Sequence, residues 1–202
     1  MAKKINSPIE IMVAPNQAQL TPDMLHIVAT GRGSMSFVLG DAEQRYQLFH
    51  QSIDWSKVVI ACVDQEVVGF LACKMKNRGP YRPDFAAFKK TFGIASALWR
   101  FLIFYLVELA QSTFSFYIYG LKVMPRWRRK GVALAMLEAA EQIAIEAGSP
   151  GLRLDVSVAN TAALALYTQR GYRVTKTVDL FFLPRVFNFK KICVMQKDLY
   201  SE

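Results

Sequence analysis

Residues 116–158 read FYIYGLKV, MPRWRRKG, VALAMLEAAEQIAIEA, GSPG and LRLDVSV in series. That order is a β-rich run, a short basic turn, a helical run, a Gly/Pro break and a second β-rich run. Two strands joined through a helix of this length come back side by side in the same direction, because a parallel pair needs a crossover of a dozen or more residues. The segment therefore commits the chain to an α/β fold with a parallel pair in its sheet.

The remainder fits around that unit. IEIMVA (9–14) reads as a first strand ended by Pro15, and 23–53 as helices broken at GRGS (31–34) and at Gly40–Asp41. KVVIACV (57–63), DQE (64–66) and VVGFLACKM (67–75) form a hairpin. A loop, NRGPYRPD (77–84), leads to an apolar helix around 93–111. The 132–147 helix carries Glu138, Glu141, Gln142 and Glu146 on one face and ends at Gly148 and Pro150. TAALALYTQR (161–170) is a helix closed by Gly171, and 172–182 and 191–199 supply two last strands. With 202 residues and no repeat or linker, the expectation is a single domain, 1–202, around a mixed sheet. A hydrophobic fraction of 52% excludes a disordered chain.

FGIASALWRFLIFYLVELA (92–110) approaches the length of a membrane span and holds two charges, Arg100 and Glu108. An arginine near the middle of a lone span is costly. The segment is therefore read as a helix buried on most sides or lining an apolar pocket, with no membrane span. Cys62, Cys73 and Cys193 are odd in number and lack CxxC spacing. Counting from the hairpin turn sets Cys62 opposite Val67 or Val68, short of Cys73, so reduced, buried thiols are expected. MAKKINSPIEI has no apolar run behind its lysines, so it does not read as a signal peptide, and the expected location is cytoplasmic.

The net charge of +9 favours an anionic partner. Its densest source is RWRRK (126–130), which precedes Gly131 and the helix at Val132. The first N–H groups of a helix lack internal partners and attract anions. A glycine permits a left-handed turn and close approach to the backbone. Flanking guanidinium groups add charge-assisted bonds. This is a cradle for a diphosphate, although a solvated basic loop has the same composition. No nucleic-acid-binding module is recognisable, and the other positive residues are scattered, so nucleic acid is not the expected partner.

A second constellation lies after the next strand: Asn160 at its exit, Tyr167 seven residues on, then Gly171–Tyr172. With VMPRWRRKGVALAMLEAA and LDVSVANTAALALYTQRGYRV in this order, the chain resembles the GCN5-related N-acetyltransferase (GNAT) family from Ile9 to Leu199. The resemblance implies a mixed, mostly antiparallel sheet of six or seven strands flanked by helices, with splayed central parallel strands. It implies acetyl-CoA as acyl donor and no metal. Backbone groups of Leu121, Lys122 and Val123 would pair with the pantetheine. The amides from Arg128 through Arg129, Lys130, Gly131, Val132 to Ala133 would hold the pyrophosphate, Ala133 standing where many members have Gly. Asn160 would bond near the thioester or pantetheine, or serve as a plain helix N-cap. Tyr167 matches the family's proposed general acid toward the leaving thiolate.

The implied reaction is transfer of an acetyl group to a primary amine by direct attack in a ternary complex, since no cysteine is positioned for an acyl-enzyme. One feature departs from the pattern. Several members carry a Glu on the strand that here reads YIYGLKV, which has no carboxylate. Tyr119, Asp155, Asp84, Glu108 or water remain as candidates for the base. This gap keeps open an alternative, a non-catalytic acyl-CoA-binding sensor or scaffold. His26 and His50 read as structural. The apolar run 81–106 and the segment 179–191 hint at an acceptor with an apolar portion, at a longer acyl chain, or at a homodimer contact.

Overall fold

The computed structural model describes residues 7–76, 78–110, 115–180 and 187–200. Seven strands make one sheet in the order β1-β2-β3-β4-β5-β7-β6. They are β1 (Glu10–Val13), β2 (Val58–Val63), β3 (Glu66–Met75), β4 (Phe116–Val123), β5 (Gly151–Ser157), β6 (Arg173–Asp179) and β7 (Lys191–Asp198). β4 and β5 are parallel neighbours, and the other pairings are antiparallel. The expected mixed sheet with one parallel pair is thus present.

Helices cover both faces. α1 (Pro22–Ala29), α2 (Ser36–Leu39), α3 (Ala42–Phe49), α4 (Phe85–Phe92) and α5 (Ile94–Ala110) pack on one face through Phe49, Phe70, Phe88 and Phe104. α6 (Val132–Glu146) and α7 (Thr161–Gln169) pack on the other through Leu71, Met136, Leu137 and Tyr167. Every residue of β2 is buried. That is why its sequence is a continuous apolar run instead of an alternating one: both of its sides contribute to a core.

The hairpin turns at Asp64 and Gln65, both with positive φ (49° and 65°), the geometry whose twist matches two antiparallel strands. Cys62 then lies opposite Val67, and all three cysteines are buried free thiols. Burial raises the Cys73 thiol above its ordinary pKa, so it is held as the unreactive thiol.

Two expectations need correcting. The loop at 77–84 does not lead directly to the long helix: Asp84 caps α4, accepting from the Ala87 N–H at 2.8 Å, and Gly93 breaks α4 from α5. Nor is α5 buried on most sides. Arg100 turns back to the Phe37 and Val38 carbonyls and Glu108 turns inward, so the outward face keeps Ile94, Leu98, Leu102, Tyr105, Leu106 and Leu109, each 51–60% exposed. Among the described residues no helix is long and apolar enough to cross a membrane.

Glu141, on the polar side of α6, is buried beneath two cations, Arg170 Nη2 at 2.7 Å and Lys197 Nζ at 2.8 Å. This carboxylate ties α6 to the end of α7 and to β7. Removing it leaves two cations facing each other, partly screened because both retain contact with water. Glu141→Ala is expected to lower the stability by about 2 kcal/mol, read as a lower urea midpoint at unchanged slope. A loss under about 0.5 kcal/mol would mean the triad acts as a surface pair.

Candidate active site

The crossover predicted from residues 116–158 forms, and its two strands part almost at once. β4 and β5 pair only at Tyr117–Arg153 and Ile118–Leu154. β4 continues to Val123 along β3, and β5 continues to Ser157 along β7. The β3–β4 register slips between Ala72 and Cys73: Cys73 faces Ile118 and Ala72 faces Gly120, leaving Tyr119 as the extra residue. A bulge of this kind bends its strand and re-aims its side chain. Here it coincides with the point of separation. A cleft of about 1340 Å³ opens between the strands. Leu121, Lys122 and Val123 lie on one side of it, Asp155, Ser157, Asn160 and Tyr167 on the other. A Cβ at Gly120 would meet nothing within 4 Å, so that residue leaves the wedge open.

At one end of the cleft stands the basic turn. Gly131 is the N-cap of α6 with φ +85°, and no side chain caps that helix. An added Cβ would meet only Ile9 Cδ1 at 3.9 Å, so the left-handed conformation is what calls for glycine here. Arg129 also has positive φ (58°). The four basic residues divide by role. Arg126 is ion-paired with Glu66, and Lys130 Nζ lies 4.6 Å from the centroid of Trp127. Arg128 and Arg129 line the cleft with Gly131, Val132 and Ala133, whereas Lys130 does not. An uncapped helix N-terminus beside two guanidinium groups can hold a diphosphate.

Deeper in, Tyr167 projects from α7 and is 8% exposed. Burial pushes its phenol up to about 12. Its hydroxyl makes no hydrogen bond to another group among the described residues. Asn160 caps α7, its Oδ1 accepting from the Ala163 N–H at 3.2 Å, so the N-cap reading is realised while the side chain also lines the cleft. Gly171 ends the helix region with φ +86°.

The opposite end is built from Arg32, Tyr81, Tyr117, Tyr119 and Asp155. Phe187 and Phe189 form its rim, and Asn188 Nδ2 binds them down by donating to the Gly33 carbonyl at 2.9 Å. Residues 181–186 of the expected rim segment lie outside the described residues. Asp155 accepts from the Tyr117 hydroxyl and has Arg153 Nε at 3.6 Å; burial nonetheless raises its pKa above the usual carboxylate range. Glu108 does not line the cleft; it binds Arg32 Nη1 at 2.8 Å and has Lys74 Nζ at 3.6 Å. Asp84 is an N-cap away from the cleft. Among the described residues α5 contributes nothing to the lining, so the expectation that the apolar helix forms the pocket wall is not met. His50 stacks on Tyr46 and His26 packs tilted against the same ring, outside the cleft.

Arg32 and Tyr117 were not singled out from sequence. Arg32 sits in a Gly/Ser-rich turn like any solvated one, and only the fold brings it 4.1 Å from the Tyr119 ring. For Tyr117 a weak signal existed, since YIY places two tyrosines on one side of a strand.

Known structures share this fold. An arylalkylamine N-acetyltransferase-like protein (5b) from mosquito aligns over 95% of this chain and 100% of its own, at 14% identity and TM-score 0.59. Ard1 from Thermoplasma volcanium aligns over 96% and 99%, at 16% identity and TM-score 0.56. A GNAT family acetyltransferase from Elizabethkingia anophelis, solved with acetyl-CoA bound, aligns over 95% and 98%, at 14% identity and TM-score 0.55. At such identities the likeness carries the fold. Residues 32–172, which hold the parted strands, the basic turn and the Tyr167 helix, also match the model of the acetyltransferase (GNAT) family, and the chain belongs to that family.

Proposed function

We propose that the protein is an acetyl-CoA-dependent N-acetyltransferase acting on a primary amine by direct attack within a ternary complex. The observation that carries this reading is the cleft between β4 and β5, with an uncapped helix N-terminus at one end and a buried phenol in its wall. The bound acetyl-CoA of the Elizabethkingia protein supports the choice of donor.

In this reading the pyrophosphate rests on the amides from Arg128 to Ala133, with Arg128 and Arg129 adding charge. The pantetheine runs along the β4 backbone from Leu121 to Val123, where β5 has withdrawn, as an added strand would. Asn160 borders it from the facing wall. The acetyl carbonyl carbon then lies near Tyr167. The ammonium first gives one proton to the base. The neutral nitrogen then bonds to that carbon, the carbon–sulfur bond breaks, and a second nitrogen proton ends on the sulfur, leaving one N–H on the amide.

Tyr167 assists as a hydrogen-bond donor. Full transfer from a phenol at about 12 to a thiolate of ordinary pKa ~8.5 would run uphill by roughly 5 kcal/mol. A donor that stays protonated can still stabilise charge as it develops on sulfur. The sulfur's final proton is supplied by the nitrogen. Asp155 is the group we assign as proton acceptor. It is the carboxylate among the candidates that lines the cleft, and burial raises its basicity toward the working pH. Glu108 is engaged by two cations and Asp84 by a helix cap.

Three measurements test the assignment. Tyr167→Phe should lower kcat about 100-fold while changing acetyl-CoA affinity less than about threefold; equal losses would make the hydroxyl a binding group. Gly131→Glu adds bulk and negative charge above the α6 amides. Calorimetric titration of that folded variant with acetyl-CoA should give no detectable heat, and unchanged affinity would refute the pyrophosphate position. For Asp155 the sign follows from burial: the carboxylate protonates at a pH above its ordinary 3.8, so activity should fall as pH drops through that raised value. Asp155→Asn should abolish this acid limb, and its persistence would exclude Asp155 as the base.

A further inference from the structure

The acceptor end of the cleft carries two unmet demands on the same wall. The first is charge. Arg32, Lys74 and Glu108 form a buried cluster of two cations and one anion, with side-chain exposures of 9%, 2% and 16%. Lys74 spends its ammonium on the Glu108 carbonyl at 2.5 Å and on the same residue's carboxylate. Only Arg32 of the three lines the cleft. It donates from Nη1 to Glu108 and from Nη2 to the Met35 sulfur at 2.9 Å, a weak acceptor. One positive charge is left over where water is largely excluded.

The second demand is a donor. The Tyr119 hydroxyl is buried and has no hydrogen-bond partner among the described residues. The bulge on β4 turns this ring to lie beneath Arg32, the Arg32 Cζ being 4.1 Å from its centroid. Tyr81, tilted against it with ring centroids 5.8 Å apart, does not take its proton; the Tyr81 hydroxyl donates to the Val28 carbonyl at 2.9 Å.

Few ligand groups answer both. A neutral amide accepts from the hydroxyl and leaves the charge uncompensated. An ammonium could only donate to the hydroxyl oxygen, and the guanidinium repels it. An oxyanion does both, accepting from Tyr119 and from the guanidinium as a charge-assisted pair. Across the same end lies the opposite sign: Asp155 binds the Tyr117 hydroxyl, and Tyr117 lies within electrostatic reach of Asp155 and Arg32 alike. A guanidinium and a carboxylate that line one cleft, both within reach of the same tyrosine, fit a small molecule carrying both charges.

We propose that the acceptor is an amine that also bears a carboxylate, an amino-acid-like zwitterion whose carboxylate is held by Arg32 and Tyr119 while its amino group faces Asp155. This rests on the N-acetyltransferase reading. It narrows the acceptor from primary amines in general to those that meet the cleft with a carboxylate as well, and the aromatic rim of Phe187 and Phe189 is left to receive a side chain.

The test uses the full chain with acetyl-CoA, following thiol release with amino acids and with the amines made by removing only their carboxylates, such as phenylalanine against phenethylamine and lysine against cadaverine. Acetyl-CoA binding is measured separately by calorimetry. The carboxylate-bearing member should be favoured about 10- to 100-fold in kcat/KM. Tyr119→Phe keeps the ring beneath Arg32 and deletes only the orphan hydroxyl; it should cut that preference roughly tenfold, through KM. Arg32→Gln should erase it, and because that change disturbs the buried cluster, Tyr119→Phe is the deciding variant. Equal or better use of the decarboxylated amines, or no reaction with any amino acid, overturns the proposal while leaving the acetyltransferase reading intact. Failure to bind acetyl-CoA overturns that reading and the proposal with it.

Discussion

A parallel strand pair that stops pairing after two residue pairs is costly unless something else completes its hydrogen bonds. The parting of β4 from β5 is held from outside. β4 is fixed along its far edge to β3 from Phe116 to Val123, and β5 along its far edge to β7 from Gly151 to Ser157. Each strand is fully committed on one side, so neither can swing across to close the gap. The bulge at Tyr119 sets the angle. Beneath the wedge, α6 and α7 fill the core with Met136, Leu137 and Tyr167, fixing the strands at their diverging spacing. A ligand that behaves as an added strand would supply the missing pairs, which is why the fold's weakest pairing and the proposed cofactor path coincide.

The basic turn illustrates how little of a charge cluster need touch a ligand. Of Arg126, Arg128, Arg129 and Lys130, two are drawn into structural contacts with Glu66 and Trp127. Trp127 is itself anchored, its Nε1 donating to Glu66 at 3.0 Å. These contacts hold the turn rigid and leave Arg128 and Arg129 on the cleft. A count of positive residues gives the sign of the partner, and only the backbone geometry around Gly131 and Arg129 decides which side chains face it.

The sequence was most legible where local physics and tertiary structure agree. The hairpin, its Cys62–Val67 register, the crossover and both motif helices all follow from apolar patterning and turn chemistry, which act over a few residues. It was least legible where a single contact overrides pattern. The separate helix α4 depends on the Asp84 cap and Gly93. The apolar segment 92–110 reads as buried on most sides or lining an apolar pocket because its two charges look like interruptions. In the structure both are withdrawn into the protein, and the side they vacate is left facing outward as a row of leucines. Composition reports how apolar a helix is and not which way its exceptions point. The acceptor end was legible only in part: Tyr119, Asp155 and Glu108 stand out as single candidates, but Arg32, Lys74, Glu108 and Tyr119 sit on separate elements and are joined only by the fold.

Glu108 links these themes. On sequence grounds it was a candidate base, yet it lies behind the wall that it organises. By binding Arg32 at 2.8 Å and Lys74 at 3.6 Å it anchors α5 to the sheet, and by compensating only one of two cations it leaves Arg32 electrostatically incomplete toward the cleft. A neutral residue at 108 would leave two adjacent buried cations, which the low dielectric there makes untenable. A second carboxylate would remove the field that an anionic ligand group requires. The single carboxylate is therefore the composition at which the cluster is stable enough to fold and still positive enough to bind.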